Sequence, residues 1–427
     1  MNMKSMINQD NAQPVVAVVG GGAAGMMAAW AAAQSGARVL LLERTGKLGR
    51  KLRITGKGRC NVTNDCDVQE FLNHVVSNPR FLYAALHRFS VQDTKRFFES
   101  RGVALKTERG RRVFPVSDRA SDIVSALSDA CHRAGVEVIY QRVRALKVDE
   151  GRVRGVICET GEYDADAVIV CTGGRSYPLT GSDGDGYRLA EQVGHTLTPL
   201  SPSLVPLTSS SPLCPALQGL SLKNVTLRVV KCAGGATVFE DMGEMMFTHF
   251  GLTGPMVLSA SAHLGGIAPG KYEAQIDLKP ALDEKTLDVR VRSDFEKYRN
   301  KDFANALGDL LPQKLIGQIV ALSGIPPHTK VHSISREQRG ALVALLKCVR
   351  VPLDGFRPID EAIVTRGGVA VKEIDPKTME SRRTGGLYFA GEVLDVDAYT
   401  GGYNLQIAFS TAYTAGESAA QKLLQGE

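Results

Sequence analysis

Gly20, Gly22 and Gly25 stand at GxGxxG spacing inside "PVVAVVGGGAAGMMAAWAAAQSGARVLLLER". Glycines so spaced suit a diphosphate. Gly20 permits a tight turn, Gly22 lets a pyrophosphate approach the backbone, and Gly25 lets a following helix pack on the preceding strand. Ala23 and Ala24 open that helix, whose unpaired N–H groups and positive dipole end attract phosphate. Glu43 follows Gly25 by 18 residues, where an acid accepts hydrogen bonds from an adenosine ribose. Two other residues could move protons. Cys60 or His249, placed beside a redox centre, could supply the proton that must accompany a hydride. The competing readings are a small buried thiol for Cys60 and a hydrogen-bonded loop histidine for His249.

The elements that must position these groups surround them. Val15–Val19 is a short apolar run that reads as a buried parallel strand. An alanine-rich helix closed by Gly36 comes next, and then "ARVLLLE", a second strand ending at Glu43. This βαβ unit alone suits FAD or NAD equally. Two further segments favour FAD. "ADAVIVCTGG" is another buried strand, ending at Thr172, Gly173 and Gly174, and a meander of short antiparallel strands with a Glu-Gly turn precedes it. Near the end, "GGLYFAGEVLDVDAYTGGYNLQIAFSTAYTAG" repeats the strand–turn–helix order, with Gly391 and Glu392 after the strand and Asn404 and Leu405 opening the helix. A second helix N-terminus suits a flavin, whose reduced ring carries negative charge; the alternative is a strand with a packing helix. No second GxGxxG has a flanking strand and helix. NAD(P)H would therefore dock transiently as reductant, without a nucleotide-binding domain of its own, or electrons would arrive by another carrier.

The 427 residues predict two or three domains, and 44% hydrophobic with 22% charged residues is the balance of a globular protein. The apolar runs fall short of the roughly 18 residues that span a bilayer, so no membrane association is expected. The opening "MNMKSMINQDNAQP" reads as a polar tail, and the eight cysteines form no CxxC pair. Reduced thiols in a cytoplasmic protein, with no metal site, are expected. Prolines between 199 and 215 mark a crossover. The expected domains are residues 1–197 and 346–427 for the nucleotide-binding part, a β-rich insert at 198–282, and a helical subdomain at 283–345.

Net charge is +6, yet residues 38–59 hold eight Lys or Arg against one acid, Glu43. Within them "RKLRITGKGRCNVTN", residues 50–64, reads either as a basic strip for nucleic acid or as a cradle for a phosphate-bearing cofactor. Gly49, Gly56 and Gly58 let backbone approach a cofactor, Arg50, Lys51 and Arg59 can meet phosphates, and Asn61 joins the cofactor-binding set. The surplus charge remains available for another anion.

The chain resembles the YhiN/BaiN-like family of FAD-binding oxidoreductases, a branch of the two-dinucleotide-binding-domain flavoproteins. The resemblance rests on "GGGAAGMMAA", "GKLGRKLRITGKGRCNVTN", "FPVSDRASDIVSAL", "CTGGRSYPLTGSDGDGYRLAEQVGH", "GEMMFTHFGLTGP" and the C-terminal segment quoted above. It implies an α/β fold: a discontinuous Rossmann-like FAD-binding domain carrying a β-rich insert domain and a small helical subdomain. It also implies that Ala24, Glu43, Arg44 and Lys51 line the ADP side and that Val143 presents backbone to adenine. Glu392, Asn404 and Leu405 would lie at the ribityl and ring end, Glu392 standing where many relatives have Asp. The implied activity is reduction of uridine to dihydrouridine in large-subunit (23S) ribosomal RNA. Hydride would go to uracil C6 and a proton to C5, with the base out of its stack. Arg109, Arg111, Arg112 and the helical insertion would then hold RNA backbone, or else be a solvated face. Two alternatives are a reductase or oxidase of a small enone or amine, and a non-catalytic FAD-containing RNA-binding factor.

Overall fold

The computed structural model describes residues 13–426, so the expected polar tail lies outside them but for its last two positions. Among the described residues no helix is long and apolar enough to cross a membrane. The chain forms two compact units, one running up to Ser201 and resuming at Val364, the other spanning Pro202–Ile363.

The first unit is built on a parallel sheet. Strand β1 (Val15–Val19), helix α1 (Ala23–Gln34) and strand β2 (Arg38–Leu42) form the expected βαβ unit. Helix α2 (Ala120–Arg133), strand β3 (Glu137–Ile139), strand β4 (Ala167–Val170), strand β5 (Leu387–Phe389) and helix α3 (Tyr403–Leu424) complete the framework. The strand order is β5-β4-β1-β2-β3, every neighbour parallel. The chain leaves β1 toward β2 and later resumes on its other side with β4. The switch point between β1 and β4 is where ligands of such sheets bind. Val19 is level with both Leu42 and Val170, so three strands end together.

Helix α1 is buried along most of its length and packs against α2 and α3. Its alanines allow this, because a helix without bulky side chains can be approached from several sides. Gly416 of α3 comes so near that a Cβ there would lie 2.3 Å from the Ala28 carbonyl oxygen. The expected meander is present as strands 143–149, 152–158 and 161–164. Its first turn puts Glu150 and Gly151 both at positive φ (47° and 74°), the geometry that matches the twist of a hairpin.

The second unit carries a seven-stranded sheet, antiparallel throughout, and helices 284–297, 313–323 and 336–347. Residues 349–353 pair with 272–277, and residues 355–356 pair with 207–208, both inside this unit's sheet. The return to the nucleotide-binding unit therefore comes at Val364 and not at residue 346. "VRVPL" alternates buried and exposed positions as an edge strand does, and pairing claims it for the insert.

The contact of α1 with β1 leads to a first prediction. A Cβ on Gly25 would lie 1.7 Å from the Gly20 carbonyl oxygen. Gly25→Ala should lower the unfolding free energy by about 3 kcal/mol, the upper range for overpacking against backbone. Urea unfolding measures it. A loss below about 0.5 kcal/mol would mean that helix and turn separate freely.

Candidate cofactor site

The carboxyl ends of β1, β2, β4 and β5 carry the loops that build the site. After β1, Gly20 turns with a φ of 104°, and its N–H donates to the Leu42 carbonyl at 2.8 Å. Gly22 begins α1 with no side chain capping the helix, and a Cβ built on Gly22 would meet nothing within 4 Å. The space over the N-terminus of α1 is open, and its first amides are available to an anion. Ala23 is partly exposed there. Gly391, with a φ of 78°, brings the turn after β5 against α1; a Cβ on it would lie 2.8 Å from the Ala24 Cβ.

Glu43 is 8% exposed, and its carboxylate is fixed at both oxygens. One accepts from the Gly21 N–H and the other from the Thr45 N–H, each at 2.7 Å. Each oxygen keeps a lone pair that a ribose hydroxyl can use. Arg44 is engaged elsewhere, on Asp183 at 2.5 Å and Asp185 at 3.1 Å, in a cluster completed by Arg142 and Arg188. Burial pushes the Asp185 carboxyl up, but hydrogen bonds from Arg142 and Arg188 outweigh it and hold the group at about 2. Val143, buried, directly follows Arg142 and opens the meander opposite Cys158.

Lys51 does not join the Glu43–Arg44 side. Its Nζ lies 2.7 Å from Glu392 Oε2 and 2.6 Å from Ser176 Oγ. Glu392 Oε1 accepts from the Thr365 N–H at 2.9 Å and from Ser176 Oγ at 3.1 Å. The turn after β4 passes directly over this group. Gly173 has a φ of 74°, and a Cβ on Gly174 would meet Thr365 Oγ1 at 2.4 Å and Glu392 Oε1 at 2.7 Å. Thr172 is partly exposed, its Oγ1 lying beneath Gly186. Asn404 is turned to its own loop: its side-chain amide accepts from the Ala398 N–H and donates to the Ala398 and Tyr399 carbonyls. Leu405 beside it is partly exposed.

Residues 50–64 wrap past the start of α3, where a Cβ on Gly402 would lie 2.3 Å from the Thr63 carbonyl. Positive φ recurs at Gly56 (57°), Lys57 (59°), Gly58 (84°) and Cys60 (61°). For Lys57 and Cys60 that conformation costs about 1–2 kcal/mol each, a concentration of strain typical of functional segments. Asn61 Oδ1 is buried and has no hydrogen-bond partner.

Two side chains of this stretch are engaged by the protein itself. Cys60 is 0% exposed, and burial, against a hydrogen bond with Thr55, pushes its thiol up to about 12. A group that touches a ligand keeps surface that the protein does not cover, and Cys60 keeps none; it is the buried thiol. Arg59 is engaged by acids. It binds Glu108 at 2.5 Å and Asp118 at 2.6 Å, and its guanidinium lies 4.1 Å from the centre of the Phe114 ring. Arg50 and Gly58 are exposed outside the Lys51–Glu392 group. His249 belongs to the second unit, exposed in the turn between strands 237–248 and 251–253.

The open space at Gly22, the uncapped amides, the oriented Glu43 and the orphan Asn61 oxygen form a set that fits FAD. Ser176, Thr365, Asp183 and Asp185 also belong to this region and were not expected. The two aspartates had a signal in the glycine-spaced run "GSDGDG", and Ser176 follows Gly174 closely. Thr365 had none.

The sequence profile of the HI0933-like protein Rossmann domain matches residues 14–418. The chain is 35% identical over 401 residues to a ribosomal RNA dihydrouridine synthase of Escherichia coli (strain K12), covering 94% of this chain and 96% of that one. It is 34% identical over 414 residues to a 3-dehydro-bile acid delta(4,6)-reductase of Clostridium scindens, covering 95% and 99%. Among solved structures, the 3-ketosteroid delta1-dehydrogenase of Sterolibacterium denitrificans shares the fold, with a TM-score of 0.52 at 13% identity over 95% of this chain and 99% of that one.

Gly22→Ala fills open space and touches no protein atom. Stability of the FAD-free protein should stay within about 0.5 kcal/mol of wild type, while FAD affinity falls about tenfold or more, a loss of about 1.4 kcal/mol. Flavin absorbance after dialysis reads this, and undiminished retention would move the pyrophosphate away from Gly22.

Asp185 gives a prediction in pH. Its folded value of about 2 lies below the ordinary 3.8, so the stability it contributes is complete above about pH 4 and is lost as pH falls toward 2. The deficit of Asp185→Asn relative to wild type should shrink by about 2 kcal/mol between pH 5 and pH 2. A deficit in urea unfolding that ignores pH would remove the ionic role of this carboxylate.

Proposed function

The chain belongs to the HI0933-like family of FAD-dependent oxidoreductases, and from that premise we propose that it reduces a uridine of large-subunit ribosomal RNA to dihydrouridine. NAD(P)H is the proposed reductant, docking transiently, and the cytoplasm the proposed compartment. The two relatives, one named for ribosomal RNA and one for a bile acid, are 35% and 34% identical to this chain, so identity does not choose between them. Charge favours RNA. Of the eight Lys or Arg in residues 38–59, Arg38, Arg44, Lys51 and Arg59 are paired with acids, while Lys47, Arg50, Arg53 and Lys57 are exposed with no acid partner among the described residues. A polyanion matches that excess, whereas a small molecule has no use for most of it.

In the proposed reaction uracil gains hydride at C6 and a proton at C5, its C5–C6 double bond becomes single, and NAD(P)H supplies the two electrons. Bound FAD would supply the hydride chemistry. The chain binds and orients. The turn at Gly20 and the N-terminus of α1 would hold the pyrophosphate, Glu43 the adenosine ribose, and the Lys51–Glu392–Ser176 group the ribityl side. Cys60 is buried and presents no surface to a bound base, so water is the proposed source of the C5 proton.

Mapping dihydrouridine in ribosomal RNA from cells with and without this protein tests the reading. Loss of a dihydrouridine position, with RNA-dependent NAD(P)H oxidation by the purified protein, is the expected result. An unchanged map together with turnover of a small enone would establish the other reading.

A further inference from the structure

Seven cations lie between residues 44 and 59. Three are held by acids: Arg44 by Asp183 and Asp185, Lys51 by Glu392, and Arg59 by Glu108 and Asp118. The other four, Lys47, Arg50, Arg53 and Lys57, are exposed, and their side chains have no hydrogen bond or ion pair among the described residues. The acids of the adjoining strands offer them nothing, since Glu108 and Asp118 also hold Lys106. An ordinary solvated face mixes signs, and a short helix is weakened by like charges within one turn. Here the helix Arg50–Ile54 bears three cations and no acid.

The strip has an edge. Ser176 Oγ sits on Lys51 Nζ at 2.6 Å, and a Cβ on Gly181 would lie 2.7 Å from Thr45 Cγ2, so the loop 175–181 runs alongside it. Leu179 in that loop is 88% exposed and Ile54 in the strip 47%. Unbalanced cations interleaved with exposed apolar groups suit a nucleic acid whose bases are partly unstacked.

We infer that Lys47, Arg50, Arg53 and Lys57 form a track for the phosphates of the RNA segment flanking the target uridine. The inference rests on the RNA reading above and adds to it where the backbone lies. Phosphates would supply the counter-charge that these four side chains lack among the described residues, and the Lys51–Glu392 pair ties the track to the cofactor cradle.

The test uses the FAD-loaded full chain and a single-stranded fragment of ribosomal RNA. Lys47→Gln, Arg53→Gln and Lys57→Gln are combined, leaving Arg50 in place. Three lost phosphate contacts should weaken binding about 100-fold at 0.1 M salt and flatten the log–log salt slope by about 2. Flavin absorbance and the thermal midpoint should match wild type, because these exposed side chains make no hydrogen bond or ion pair among the described residues. A control removes three cations already held by acids, Lys147, Arg228 and Lys297, and should leave the slope near wild type. An unchanged slope in the strip variant, or equal flattening in the control, overturns the track while the RNA reading stands. Wild-type protein that binds no RNA overturns both.

Discussion

Gly25 rests on the carbonyl of Gly20, and nothing larger than a hydrogen fits between helix α1 and the turn below it. That contact fixes the height of the N-terminus of α1 above the sheet, and the geometry of the cradle follows from it. The Gly21 amide meets the Glu43 carboxylate, the Gly22 position opens on empty space, and the turn at Gly391 closes down on Ala24. Gly416 grips the same helix from α3, against the Ala28 carbonyl. Small residues on several faces hold α1 more tightly than large ones could, since backbone yields less than side chains.

Charge around the cradle is organised by pairing. The Asp183–Asp185 cluster gathers Arg44, Arg142 and Arg188, so the loop after β2, the start of the meander and the helix after β4 are tied together. Glu392 does similar work on the other side. One of its oxygens accepts from the Thr365 amide and Ser176 while the other meets Lys51. Groups held at both ends do not need to reorganise when a ligand arrives, which is how a binding site keeps its electrostatics ready.

What was legible in the sequence was local. The strand, the three glycines, the alanine helix and Glu43 all lie between Val15 and Glu43, and each part implies its neighbour's geometry. The Lys51–Glu392 pair spans 341 positions, and no spacing rule reaches that far. Arg59 looked like a phosphate ligand because Glu108 and Asp118 are remote in sequence, and only the small sheet of strands 63–64, 105–108 and 112–115 brings that region together. Cys60 was ambiguous for a related reason: the motif shows a thiol among glycines, while its burial depends on elements folded over it. The expected end of the insert near 346 falls short because strand pairing continues to Phe356, and pairing between distant strands leaves no local mark in the sequence.

The discontinuity of the nucleotide-binding unit has a consequence for how the protein is made. Four strands of its sheet have been synthesised by residue 170, but β5, which covers the edge of β4, and α3, which covers α1, arrive only after residue 386. The second unit is one unbroken segment and can finish folding while the first waits with an open sheet edge. Glu392 and the start of α3 follow the insert in synthesis, so cofactor capture has to wait for it. A message truncated inside the insert would yield a half-built cradle with an unpaired strand, a species for chaperones and proteases to clear.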